Sequence, residues 1–60
     1  MSMTMPKDPV MLLRFVNTQL RDHYASLAAL AASYMVEEQE IVEKLATIKY
    51  RYEEAQNKFV

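Results

Sequence analysis

The sequence contains no glycine, and this absence limits how the chain can turn more than any other feature. Glycine is the residue that most readily adopts positive φ at helix ends and in tight turns. Asn57 is the best available substitute for a turn of this kind, because asparagine tolerates positive φ. Met35 stands where a tight turn between two helices usually requires glycine. Because neither glycine nor proline interrupts residues 26–47, one continuous helix there remains an alternative fold.

Sixty residues form at most one small domain, whose core contributes roughly 3 to 5 kcal/mol without other support. The chain has no cysteine for a disulfide or a Cys-ligated metal, so tight packing or self-association must supply the stability. Apolar residues at 52% and charged residues at 25% are typical of globular proteins. Apolar runs such as residues 10–13 are too short to span a bilayer, and residues 1–5 lack the features of a signal peptide. We expect a cytoplasmic protein without a membrane segment.

The pattern along the chain predicts a disordered tail at residues 1–5 and a single domain at residues 6–60. Asp8 and Pro9 predict the start of a first helix over residues 9–23, because aspartate caps helices and proline fits the first helical position. At 100° per residue, four side chains fall within an arc of about 100° and form the predicted core face. They are Leu12, Leu13, Val16 and Leu20, with Tyr24 at the edge of the arc.

Two further helices and a hairpin are predicted after this helix. Ser26 is the expected N-cap of a helix over residues 26–33, and a third helix covers residues 37–47 with Ile41, Leu45 and Ile48 facing inward. From Ile48 the apolar period changes to two, which predicts strands at residues 48–52 and 58–60. The predicted fold is mainly α, with a three-helix, helix-turn-helix-like core and a C-terminal two-stranded hairpin, an order similar to that of winged helices.

The segments PKDPVMLL (6–13), VNTQLRDHY (16–24), SLAAL (26–30) and EKL (43–45), with Tyr50, Tyr52, Asn57 and Phe59, carry a resemblance to a known family. From Pro6 to Val60 the chain resembles short bacterial proteins grouped as domain of unknown function number 4250. The usual LLS triplet of that family is Leu12, Leu13, Arg14 here, so no role of the serine is transferred. The resemblance implies a single-domain bacterial protein without an assigned activity.

Catalysis is not expected from these residues. His23 is the only histidine, and no serine or cysteine stands at a spacing known from nucleophilic sites. Glu37, Glu40 and Glu43 are spaced three apart and could bind a metal, but without a histidine at i+3 they are typical of a solvated helix face. We therefore expect no enzyme, no metal and no cofactor.

An interaction module is the function that the sequence favours, with an unknown protein partner or a second copy of the chain. Met11 and Phe15 point away from the core face and are expected to lie under the hairpin, against Tyr52 or Phe59, unless a partner covers them. Lys7, Arg14 and Arg21 recur every seven residues as a basic stripe. The candidate interaction surface comprises Met11, Arg14, Phe15, Arg21, Lys49 and Arg51.

Nucleic acid is the alternative partner, and the third helix disfavours it. Four glutamates against Lys44 on that helix would repel phosphates. A nucleic-acid-binding accessory protein would have to use the basic residues of the hairpin and of the first helix instead.

Asp22 stands at the end of the first helix, where the helix dipole disfavours a carboxylate. We expect it to accept N–H groups from the start of the second helix or to pair with a base of the hairpin. Asn17, Asp22 and Ser26 would then form a structural corner between the first two helices.

Overall fold

The computed structural model describes residues 5–60, which form three helices and a hairpin. They are α1 (Pro9–Asp22), α2 (Leu27–Ser33), α3 (Glu38–Ala46), β1 (Tyr52–Glu53) and β2 (Lys58–Phe59). The strands are antiparallel, with Tyr52 opposite Phe59 and Glu53 opposite Lys58. The predicted class, mainly helical with a small C-terminal hairpin, is confirmed.

The predicted tail at residues 1–5 falls mostly on residues 1–4, which lie outside the described residues. Met5 is partly buried and packs against the core. The prediction of disorder is therefore wrong for this residue, because its apolar side chain packs against the core.

Side-chain caps define where the helices begin. The Asp8 carboxylate accepts the backbone N–H of Met11 at 3.0 Å, and the Ser26 hydroxyl accepts that of Ala29 at 3.2 Å. Both caps are those that the sequence predicts. At α3, the backbone N–H of Glu37 donates to the Glu40 carboxylate at 3.3 Å. The side chain at the third helical position thus gives a hydrogen-bond partner to the N–H of the residue just before the helix.

The turn between α2 and α3 is a Schellman motif built without glycine. The N–H of Val36 donates to the carbonyl of Ala31 and the N–H of Met35 to that of Ala32, the bond pattern that closes such a helix end. Met35 adopts φ 58° at the position where glycine is usual. The turn at residues 34–36 is confirmed, and the alternative of one continuous helix over residues 26–47 is excluded.

The same motif ends α3 and displaces the first strand. Tyr50 N–H donates to the Leu45 carbonyl and Lys49 N–H to that of Ala46, while Lys49 adopts φ 67°. The strand predicted from residue 48 is therefore wrong over residues 48–50, which complete the helix end. The alternation of apolar and basic residues there is typical of a strand, but these residues form the turn that ends α3. Hydrogen bonding between the two arms of the hairpin begins at Arg51, whose N–H donates to the Val60 carbonyl at 3.0 Å.

α1 is the central element of the fold and packs against α2, α3 and β2. One apolar cluster joins all four elements, and each of its nine members is at most 3% exposed. The cluster comprises Leu12, Val16 and Leu20 of α1, Leu27, Leu30 and Ala31 of α2, Ile41 and Leu45 of α3, and Phe59 of β2. The predicted core face of the first helix is thus largely confirmed, while Leu13 is only partly buried.

Replacing Met35 with glycine should raise stability. The Met35 side chain is 92% exposed, so its loss costs no packing, whereas the positive φ costs a residue with a Cβ about 1 to 2 kcal/mol. After the entropy cost of glycine, we expect a gain of roughly 0.5 to 1 kcal/mol in urea denaturation. The control Ala32→Gly, at an exposed helical position, should lose about 1 kcal/mol. If both variants lost stability, the claim that the positive φ of Met35 strains the turn would be contradicted.

Candidate functional site

The side chain of Asn57 connects the hairpin turn to the end of α1. Its amide nitrogen donates to the carbonyls of Leu20 at 3.1 Å and Tyr24 at 3.0 Å, and its oxygen accepts the Tyr52 hydroxyl at 2.6 Å. The same hydroxyl accepts the backbone N–H of Leu27, the first residue of α2, at 3.3 Å. Asn57 adopts the positive φ that the sequence predicts, 54°, and this conformation directs the amide toward the helix end.

Asn17 holds β2 against the middle of α1. Its oxygen accepts the backbone N–H of Phe59 at 2.8 Å, and its nitrogen donates to the Phe59 carbonyl at 3.1 Å. The backbone N–H and carbonyl of Phe59 point away from β1, on the side where a third strand would bond them. The side-chain amide of Asn17 bonds both groups instead. Asn17 therefore has a structural position, but it joins the helix to the hairpin and not to α2.

Asp22 does not hold the corner in the way that the sequence predicted. Its carboxylate pairs with the neighbouring Arg21 guanidinium at 2.9 and 3.1 Å, with both side chains exposed. These hydrogen bonds lower the pKa of Asp22 and raise that of Arg21. A lowered carboxyl pKa stabilises the fold at neutral pH and loses that effect as the pH falls through it, but solvent screens an exposed pair. The corner is instead held by Asn57 and by the Ser26 cap.

The hairpin does not cover Met11 and Phe15, contrary to the expectation. The Phe15 ring packs edge-on against Tyr34 at 5.6 Å between centroids, and Tyr24 contacts the same tyrosine at 6.4 Å. Phe15 is thereby partly buried, whereas Met11 is 61% exposed. Tyr52 and Phe59 pack against each other at 5.4 Å and against the core.

The candidate interaction residues are distributed over two parts of the fold. Met11, Arg14 and Arg21 are exposed on α1, whereas Lys49 and Arg51 are exposed in the connection between α3 and β1. Lys7 precedes the helix and lies in a groove toward α3, so it does not continue a stripe with the two arginines.

That groove, which we call the N-terminal groove, was not predicted. It has a volume of about 290 Å³ and lies between the segment before α1, α1 itself, the turn after α2, and α3. Its apolar wall consists of Met5, Pro6, Leu12, Tyr34, Val36 and Ile41. Three charged side chains, Lys7, Glu40 and Lys44, also line it. No local pattern indicates this groove, because its residues come from four parts of the fold.

A second groove, which we call the polar groove, lies between α1 and the hairpin turn, and all of its lining residues except Leu20 are polar. It brings Arg21 and Thr18 of α1 together with Gln56 and Lys58 of the hairpin. The two asparagines also reach it, with their amides already bonded to the backbone. Arg21 belongs to the basic residues of the first helix and Lys58 to those of the hairpin, the two groups that a nucleic-acid contact would have to use.

Two of the three glutamates of α3 form hydrogen bonds with near neighbours in the chain. Glu43 accepts the side-chain amide of Gln39 at 3.2 Å, and Glu40 accepts the backbone N–H of Glu37. Within residues 5–60, no group of three or more His, Cys, Asp and Glu side chains is placed to hold a metal ion. None of the three described helices has the length and apolar character needed to cross a membrane.

Asn57→Ala should be among the most destabilising single changes in this chain. It removes three hydrogen bonds at about 1 kcal/mol each and leaves a non-asparagine residue at positive φ, so we expect a loss of roughly 3 kcal/mol or more in urea denaturation. Tyr52→Phe should show non-additive coupling with it, by about 0.5 kcal/mol or more.

Asp22→Asn is the matched control, and its melting temperature should change by less than about 4 °C because the pair is on the surface. If Asp22→Asn lost more stability than Asn57→Ala, Asp22 and not Asn57 would hold the corner between α1 and α2.

The comparisons with known proteins identify a family and nothing more specific. Neither the search of curated proteins nor the search of solved structures gave a match. The scan against protein families matched residues 6–59, which is most of the chain and includes both asparagines, Tyr52 and the segment that caps α1. The chain therefore belongs to the family described as Domain of unknown function (DUF4250).

Proposed function

We propose that this protein is a non-catalytic interaction module of the cytoplasm that binds a protein partner through the outer face of α1. The observation that carries this proposal is the exposure of two adjacent apolar side chains in the first turn of the helix. Val10 is 56% exposed and Met11 is 61% exposed. With Arg14, one turn further along, they form a surface that we call the α1 outer patch.

The composition of the α1 outer patch supports a contact with protein. Methionine and arginine are enriched where proteins bind each other, and a flexible methionine adapts to varied partner surfaces. Single exposed apolar residues are ordinary, but here two neighbours stand on the helix that organises the core. Covering what remains exposed of both would contribute about 2 to 3 kcal/mol, roughly half the value for two fully buried side chains.

Site-specific photocrosslinking in the native cell tests this proposal. A benzophenone amino acid at Met11 should form one discrete adduct, and Arg14→Glu should reduce its yield severalfold. Met35 is the matched control because it is also a methionine and, at 92%, is more exposed. An adduct of twice the chain mass would identify a second copy as the partner. The same adducts from positions 11 and 35, or none from position 11, would overturn the proposal.

A nucleic-acid-binding accessory role is the second candidate, supported by the meeting of Arg21 and Lys58 in the polar groove. Against this role, Arg21 is already paired with Asp22, and α3 exposes Glu38, Glu40 and Glu43. Contacts with phosphates supply nearly all non-specific affinity for nucleic acid, so we expect that affinity to be low for this chain.

Fluorescence anisotropy with random duplex should therefore give a Kd weaker than about 100 μM at physiological salt, the weak end of the non-specific range. Micromolar binding that Arg51→Ala weakens would favour the second candidate over the first.

A further inference from the structure

The N-terminal groove is a site separate from the α1 outer patch, and a ligand in the groove does not depend on the function proposed for that patch. The groove has a volume of about 290 Å³ and is open to solvent. An apolar cavity of about 150 Å³ holds one benzene molecule, and pockets for drug-sized ligands start near 300 Å³. The groove therefore has room for one or two apolar side chains.

The charges at the groove select the ligand further. Lys7 and Lys44 line it with a single carboxylate, that of Glu40, so its lining side chains sum to a charge of +1, while the other glutamates of α3 and its N-cap Glu37 are exposed outside the lining. The Glu40 carboxylate is held toward the start of α3 by the N–H of Glu37. The only ion pair among residues 5–60 is the one between Arg21 and Asp22, which leaves both lysines of the groove without an acidic partner in the described structure.

We propose that the N-terminal groove binds an acidic peptide segment of a partner protein, which inserts one or two apolar side chains between Leu12, Tyr34 and Ile41. Carboxylates on either side of the inserted residues pair with Lys7 and Lys44. The apolar wall supplies affinity through burial, and the lysines select acidic over basic segments. This arrangement is that of a small apolar pocket at the centre of a contact with a charged rim.

The α1 and α3 helices of a second copy are poorer occupants. The acidic helix α3 has no large exposed apolar side chain to insert, since its apolar residues Ile41 and Leu45 are buried in its own core and Val42 is partly buried. The exposed apolar residues of α1 lie beside Arg14, which the lysines of the groove would repel.

The test uses the full chain labelled with ¹⁵N and a hexapeptide with a central Leu-Phe pair and two aspartates on each side. We expect chemical-shift changes centred on Val36 and Ile41, with sub-millimolar binding that weakens as salt is added. Two control peptides, one with lysines in place of the aspartates and one with a central Ser-Ser pair, should bind at least tenfold more weakly. Equal binding of all three peptides would overturn the proposal.

Matched lysine variants locate the site. Lys44→Gln should weaken binding of the acidic peptide about two- to fivefold, the range for one exposed ion pair, and Lys7→Gln with Lys44→Gln about tenfold. Lys58→Gln removes the same charge from the polar groove and should leave the affinity unchanged. If Lys58→Gln weakens binding as much as Lys44→Gln, the peptide is held elsewhere and the proposal fails.

Two outcomes without peptide would also overturn it. Shifts at Val36 and Ile41 that depend on protein concentration would assign the groove to a second copy. Nuclear Overhauser contacts from the methyl groups of Met1 or Met3 to Ile41 would assign it to the chain's own first residues. Neither outcome bears on the photocrosslinking result at Met11, so failure of the peptide proposal is distinguishable from failure of the function proposed for the α1 outer patch.

Discussion

The attachment of the hairpin to α1 by two asparagine amides is the interaction on which the rest of the structure depends. Strands of two residues are not stable alone, so this hairpin must be fixed from outside. Asn17 pairs with both backbone groups of Phe59, and Asn57 bonds two carbonyls near the end of α1. These bonds hold the Phe59 side chain in the core, where it is only 2% exposed. An unpaired amide at either place would cost more than the bond contributes, so the two asparagines specify the arrangement.

Turning without glycine sets a second condition on the fold. Met35, Lys49 and Asn57 all adopt positive φ, at the ends of α2 and α3 and in the hairpin turn. Met35 and Lys49 are exposed, so neither gains burial in return for its conformation. Asn57 alone among the three uses its side chain to bond neighbouring elements. A small domain can accept such strain only because one apolar cluster joins all its helices and β2.

The hairpin packs against the core, whereas the start of α1 leaves apolar side chains exposed. In winged helices the hairpin can reach a partner, but here Phe59 and Tyr52 pack inward and the turn is bonded to α1. Both proposed binding surfaces lie instead around the start of α1: the exposed pair Val10 and Met11, and the groove beside Leu12. Both lie close to the Asp8 cap that begins the helix.

The sequence by itself determined the features that depend on residues within about four positions of one another. The caps Asp8 and Ser26, the buried face with Leu12, Val16 and Leu20, and the positive φ of Asn57 all follow from local rules. The fold class followed too, because these signals give the order of helices and hairpin. The first strand was misplaced since a period of two over residues 48–52 does not distinguish a strand from a helix end with positive φ.

Only the tertiary structure decided which side chains meet across the chain. Asn17 and Phe59 are 42 residues apart, and nothing in the local pattern pairs them. Phe15 is covered by Tyr34 and not by the hairpin, because the turn after α2 brings that ring alongside α1. The N-terminal groove was decided in the same way, whereas Asp22 pairs with its own sequence neighbour, Arg21. A polar or aromatic side chain can be satisfied by many neighbours, and the packing of α1 against the other elements selects the one that is close enough.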